Sequence, residues 1–171
     1  MAGRAAIGRT TAADRGAVKL TLRDKFKQLW KYYLLQSLLA GVVVLVLVAC
    51  LGRDKTVTIA SMGASAFIVF AMPKSVSAQT RNVVGGHLVG LACGALFCLV
   101  EWSYFVEYPL VVAIAIFLMV ALDVEHPPAA GTALAVVINE GGQDIMIAII
   151  LSAIVLSQCR YYMRSYLKDL V

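Results

Sequence analysis

From Tyr32 to Leu51 the chain runs twenty residues without a charged side chain. As a helix such a run is about 30 Å long, the thickness of a bilayer's hydrocarbon core. Inside lipid every backbone N–H and C=O must be bonded within the protein, and a helix does this from its own residues. Val83–Val100, Tyr108–Leu122 and Ile145–Gln158 are further apolar runs, while Thr56–Met72 is shorter, rich in hydroxyls and ended by Pro73. With 61% hydrophobic residues and a mean hydropathy of +0.84, the chain is too apolar for a soluble domain with a polar shell. The expectation is an all-α, polytopic membrane helix bundle.

Asp123–Ile138 breaks this pattern, reading Asp-Val-Glu-His-Pro-Pro-Ala-Ala-Gly-Thr before it turns apolar again. Polar, helix-breaking sequence is tolerated at membrane depth only where protein or a water-filled cavity surrounds it. Its apolar part, Ala129–Ile138, covers only about 15 Å as a helix, half of the roughly 30 Å core. Two short or broken helices, this one and Thr56–Met72, therefore stand among about six membrane segments. Charge supports an even count. Eight of the fifteen basic residues precede Tyr32, and Arg160, Arg164 and Lys168 follow the last run. Six crossings keep both ends and the Lys74–Arg81 loop on one side, cytoplasmic by the positive-inside rule. Residues 1–17 read as a disordered basic tail and 18–31 as an interfacial amphipathic helix, with Leu22, Phe26, Leu29 and Tyr33 at helical spacing between basic residues. Residues 32–160 then form the transmembrane domain and 161–171 a basic cytoplasmic tail. No basic face is interleaved with aromatics, so the bilayer is the expected partner and nucleic acid is not.

The residues with chemistry cluster at the short helices. Pro127 and Pro128 suit a helix start, since proline lacks the N–H that is orphaned there. Gly131 and Thr132 follow in the first turns, where backbone and hydroxyl donors reach a small anion drawn to the helix N-terminus. Ser61, Gly63 and Ser65 offer similar groups in the first half. Gly63–Phe70 echoes Gly131–Ile138, so an inverted repeat with both short helices meeting near the midplane is the expected architecture. His126 has the one side chain there that changes charge near neutral pH. Asp123 and Glu125 read as edge charges. His87 reads as a packed, hydrogen-bonded histidine rather than a ligand contact. Gly86, Gly90 and Gly94 strip one helix face for close approach of another helix, in this chain or in a second copy of a homo-oligomer. No catalytic constellation, cofactor fingerprint or metal-ligand spacing is present, so the expectation is no enzyme, no cofactor and no metal.

The motif His126-Pro127-Pro128-Ala129, with Met62-Gly-Ala-Ser-Ala66, Pro73, Gln79-Thr-Arg-Asn82 and Gly85-Gly-His-Leu88, resembles the HPP family of integral membrane proteins over about Tyr32–Gln158. The resemblance implies a small multi-helix membrane protein, and nitrite transport is associated with members in cyanobacteria and plastids. A transporter or channel for a small inorganic anion, nitrite foremost, is thus expected, in a bacterial inner membrane or a plastid envelope. The alternative is a non-transporting assembly subunit that docks through its glycine-striped helix.

Overall fold

The computed structural model describes residues 21–51, 55–101 and 103–171. The tail assigned to residues 1–17 and the first residues of the interfacial segment lie outside them. Among the described residues the chain forms α1 (Leu22–Leu51), α2 (Thr56–Ala71), a 3-10 turn (Val76–Ala78), α3 (Thr80–Phe97), α4 (Tyr104–Ala121), α5 (Pro128–Ile138) and α6 (Gln143–Met163). The chain divides into two compact units at Trp30. Of the first, the structure describes only Thr21–Trp30, where Thr21 caps α1. Its Oγ1 accepts the Asp24 N–H at 3.3 Å and donates to the Asp24 carboxylate at 2.6 Å, a reciprocal arrangement that satisfies an orphan donor of the first turn. α1 continues without a break to Leu51, so no helix boundary falls where the interfacial segment and the first membrane run were divided, at Tyr32.

The second unit, Lys31–Val171, distributes polarity in the reverse of a soluble protein. Large apolar side chains point outward along α1, α4 and α6: Leu38 and Leu45 are each 67% exposed, Phe117 69% and Leu151 57%. Gln36, Ser61, Ser65, Asn82, His87, His126 and Thr132 are buried. Hydrocarbon solvates the outer residues and protein must satisfy the inner ones. α1, α4 and α6 are also the helices long and apolar enough to cross a membrane. α5, at eleven residues, is about 16 Å long. It is enclosed instead, packing on α2, α3, α4 and α6. The chain is therefore an integral membrane helix bundle.

Helix ends fall at two faces. Arg160 of α6 donates from Nε and a terminal nitrogen to the Pro73 carbonyl, at 3.0 and 2.7 Å. Arg81 at the start of α3 pairs with Asp123 after α4 at 2.8 Å. Cys98, Glu101, Glu107 and Glu140 line one shallow cleft at the opposite ends of α3, α4 and α5. Neighbouring helices thus alternate in direction, with Arg81, Arg160 and the acids of the α4–α5 loop at one face and Glu101, Glu107 and Glu140 at the other, where Lys55 also precedes α2. α2 meets α5 and α3 meets α6, and contacts of α3 with α5 are matched by contacts of α2 with α6. An exchange of the two halves preserves these pairings. The two glycines of the sequence echo nevertheless face different neighbours, as their surroundings below show.

Element boundaries depart from expectation mainly at α4, which starts at Tyr104 rather than Tyr108. The N–H groups of Val106 and Glu107 both bond the Ser103 carbonyl, at 2.9 and 3.0 Å, so the aromatic stretch winds into the first turn. Pro109 lies within the helix but near enough to its start to remove one bond without ending it. α4 and α5 end alike. The Val124 N–H bonds the Met119 carbonyl at 2.9 Å and the Asp123 N–H bonds the Val120 carbonyl at 3.2 Å; after α5, Gly141 bonds Val136 at 2.9 Å and Glu140 bonds Val137 at 3.0 Å. Both are Schellman closures, with an acid in the left-handed position, Asp123 at φ 55° and Glu140 at φ 52°. A side-chain clamp ties the far end of the chain to α1. The Gln36 amide donates to the carbonyls of Phe70 and Lys168, and its oxygen accepts the Lys168 N–H at 3.4 Å. Beside it the Leu170 N–H bonds the Ala71 carbonyl at 2.9 Å.

Candidate functional site

The site is built on the bare face of α3. A side-chain carbon added at Gly85 would lie 2.8 Å from Val124, at Gly86 2.7 Å from His126, and at Gly94 2.6 Å from Val136; at Gly90 it would run into the Ala129 carbonyl. The glycine ridge thus receives the α4–α5 loop and then α5 itself. The stripe's partner is α5 of the same chain, which takes the face that a docking subunit would need. The Schellman turn after Ala121 aims the loop along this ridge, and Asn82 holds it by donating to the Glu125 carbonyl at 3.2 Å. His126, two residues after the turn, is thereby directed inward and is 0% exposed.

Below it lies one connected line of polar contacts. His126 Nδ1 meets the Ser77 carbonyl at 2.8 Å and its Nε2 meets Ser65 Oγ at 2.9 Å. Ser65 Oγ also meets His87 Nε2 at 3.0 Å, and His87 Nδ1 meets Thr132 Oγ1 at 2.8 Å. Thr132 Oγ1 lies 3.2 Å from Ser61 Oγ, which donates to the Pro128 carbonyl at 2.6 Å. The two imidazoles stand edge to face with ring centres 5.0 Å apart. The line draws on α2, α3 and α5, on the α4–α5 loop and on the 3-10 turn. Ser61 and Ser65 both lie inside it because a spacing of four residues keeps them on one face of α2. Ser65, His126 and Thr132 are 0% exposed and His87 1%, so the line is occluded in this conformation.

Of the residues singled out in the sequence, His126, Pro128, Thr132, Ser61 and Ser65 come together in this line. Gly131 adjoins it, since a side-chain carbon there would touch Ser61 at 3.4 Å. Gly63 does not: its open side faces Val44 of α1 at 3.7 Å. Pro127 is exposed and shapes the helix entry rather than the line. Backbone donors are engaged as well. The Ala129 N–H bonds the His126 carbonyl at 2.8 Å and the Ala130 N–H bonds Pro127 at 3.2 Å, so hydroxyls and imidazoles carry the polarity here.

One member of the line, and one buried hydroxyl outside it, are legible only in the structure. His87, read as a packed and hydrogen-bonded histidine, is both of these and also the midpoint of the line. Its signal was its place beside Gly86, which brings α5 within reach. Thr58 is fully buried, with no partner for its hydroxyl among the described residues. It lies three residues before Ser61, one turn along the same face of α2. Among the described residues no group of three or more His, Cys, Asp or Glu side chains comes together.

Residues 26–166 match the HPP transmembrane region. A transmembrane protein of Dictyostelium discoideum is 35% identical over 101 residues, covering 55% of this chain and 35% of the relative. A second transmembrane protein of the same organism is 31% identical over 133 residues, covering 73% of this chain and 42% of the relative. The chain thus spans less than half the length of these curated relatives. No solved structure matches it.

Proposed function

Since the chain belongs to the HPP family of transmembrane proteins, we propose that it moves a small inorganic anion across the bilayer, nitrite before others, by way of the line from Ser77 to Pro128. The observation that carries this reading is the line itself: seven residues linked by polar contacts inside a bundle whose outside is apolar. Ionisable and polar groups at such depth are costly, and those that face the interior of a bundle mark substrate and ion pathways. α2 and α5 contain no Lys or Arg, and in α3 Arg81 sits at the first turn, so no fixed cation along the line would trap an anion. Ser61, Ser65 and Thr132 supply hydroxyl donors, and Pro128 and Gly131 shape the helix start around them. His126 couples anion movement to protons. Nitrite is chosen on the resemblance of the motif to members associated with its transport. The reading places both ends of the chain on the cytoplasmic side of a plasma membrane, because Arg81 and Arg160 lie at that face.

The test is uptake of nitrite into liposomes holding the purified chain, with and without an imposed pH gradient. Uptake above empty vesicles is expected, faster with the gradient. Thr132→Val, which removes one donor, is expected to slow uptake about tenfold, the effect of a net hydrogen bond to a charged group. His126→Ala is expected to abolish the response to the gradient. Uptake equal to empty vesicles would remove the anion assignment, and an intact pH response in His126→Ala would remove the proton role.

A further inference from the structure

The hydrogens of the polar line can be assigned from its two ends. Both ends are backbone carbonyls, which only accept. At one, His126 Nδ1 faces the Ser77 oxygen at 2.8 Å and so carries a hydrogen. At the other, Ser61 gives its only hydrogen to the Pro128 oxygen at 2.6 Å. Thr132 must then donate to Ser61 across 3.2 Å, and His87 Nδ1 must donate to Thr132 across 2.8 Å. Neutral imidazole carries one N–H, so each ring is left with a lone pair on Nε2. Both lone pairs converge on Ser65 Oγ, at 2.9 Å from His126 and 3.0 Å from His87. Ser65 has a single hydrogen to offer them. It also has the Ser61 carbonyl within 3.1 Å as a competing acceptor.

Counting gives the same result. His126, Ser65, His87, Thr132 and Ser61 bring one hydrogen each, five in all, to the six contacts between the Ser77 and Pro128 carbonyls. A neutral line always has at least one contact with no hydrogen in it. One added proton completes it.

We propose that His87 and His126 together bind one proton and that the Ser65 hydroxyl passes it between them. With the proton on His126, Nε2–H donates to Ser65 Oγ and Ser65 O–H donates to His87 Nε2. In the transfer the N–H bond of His126 breaks as a new O–H bond forms on Ser65. The original O–H bond of Ser65 breaks as an N–H bond forms on His87. No electron is exchanged, and the positive charge crosses from one ring to the other. Ser65 ends with its hydrogen on the opposite side.

The surroundings leave the pair as the titrating unit. α2, the 3-10 turn and α5 contain no Asp, Glu, Lys, Arg, Cys or Tyr. On α3 the other titratable groups are Arg81, which is paired with Asp123 at the surface, and the Cys93 thiol further along the helix. On the α4–α5 loop Glu125 is the remaining acid, and its backbone carbonyl is held by Asn82. From α6, Arg160 engages the Pro73 carbonyl, Cys159, Tyr161 and Tyr162 lie in the last turns, and Asp144 lies at the other end of that helix. On α4, Tyr104, Glu107 and Tyr108 lie in the first turns, at the acidic cleft. A second charge on the other ring, at 5.0 Å between centres, has no carboxylate bonded to either ring among the described residues to balance it. Exchange between rings therefore takes the form of a relay, from the Ser77 face toward Thr132.

This deepens the proton role given to His126 above, and it requires no particular anion. The experiment is a pH titration of the full chain in lipid nanodiscs with 15N-labelled histidine, reading the ring nitrogens by NMR without nitrite. Wild type is expected to take up one proton for the two rings, with both sets of resonances moving at one shared midpoint. Ser65→Ala is expected to split that midpoint into two, and Ser65→Thr, which keeps the hydroxyl, to restore a shared one. Uptake of two protons at separate midpoints in wild type would overturn the proposal, as would a shared midpoint in Ser65→Ala. If Ser65→Ala does not fold, the wild-type proton count alone decides. A chain that shows the shared proton yet moves no nitrite would retain the relay and lose the anion assignment; transport without a shared proton would do the reverse.

Discussion

Asp123 and Glu140 occupy left-handed backbone, at φ 55° and 52°, where a side chain costs about 1–2 kcal/mol relative to glycine. Their helices tolerate this because each acid closes a Schellman turn that satisfies terminal carbonyls. The two sites differ in what the side chain does. Asp123 pairs with Arg81, both side chains being well exposed, so its removal offsets part of any gain. Among the described residues Glu140 makes no ion pair. Glu140→Gly is therefore expected to stabilise the protein by about 1 kcal/mol, and Asp123→Gly by less, as read from thermal unfolding in detergent. Neither strained position is visible in the sequence, because nothing in the residue type marks which acid falls at the left-handed step. Reading Asp123 as an edge charge needed only composition, and the structure puts its side chain 74% exposed. The hydroxyls and His126 were legible because polar groups stand out in apolar runs. The bond from Ser65 to both rings was not, since it depends on two helices and the α4–α5 loop meeting.

At the scale of elements, glycines in the same protein have opposite expected effects. An isolated glycine in a helix costs about 1 kcal/mol relative to alanine. A methyl group placed on Gly41 of α1 would have nothing within 4 Å, so Gly41→Ala is expected to stabilise by up to that amount. Gly90 faces the Ala129 carbonyl, Thr132 and the Ala133 nitrogen. There the backbone of α5 would have to retreat, an overpacking cost of about 1–3 kcal/mol, and Gly90→Ala is expected to destabilise. Detergent melts of the two variants give this comparison, and equal signs would refute it. The repeat of glycine every fourth residue announced a close helix contact but not its partner. α5 was the least legible helix, since eleven residues fit a re-entrant piece or half a crossing equally in sequence. Its place follows from the α3 ridge and the turn after α4, both of which need the chain folded back. The start of α4 was missed because the aromatic and acidic stretch Glu101–Glu107 resembles a loop, while aromatic side chains at a membrane edge suit a first helical turn.

Across the whole molecule the legible property was the apolar outside, and the part that escaped was how polar groups would be paired inside. The charge asymmetry now has a structural form, with Arg81 and Arg160 at one face and Glu101, Glu107 and Glu140 at the other. On the proposed orientation, the exposed Cys98 beside the acidic cleft faces the exterior. In a variant lacking Cys50, a membrane-impermeant thiol reagent applied to intact cells is expected to label Cys98, and labelling only after permeabilisation would reverse the assignment. The clamp at Gln36 bears on a different matter, the order of events during synthesis. Its partner Lys168 lies 132 residues downstream. A ribosome adding about 5–20 residues each second leaves that amide waiting for roughly 7–26 seconds. During that interval the Phe70 carbonyl, only 34 residues on, is the partner the Gln36 amide has at hand. The clamp on the first membrane helix is thus closed in two stages, the second only when the far end of the chain arrives.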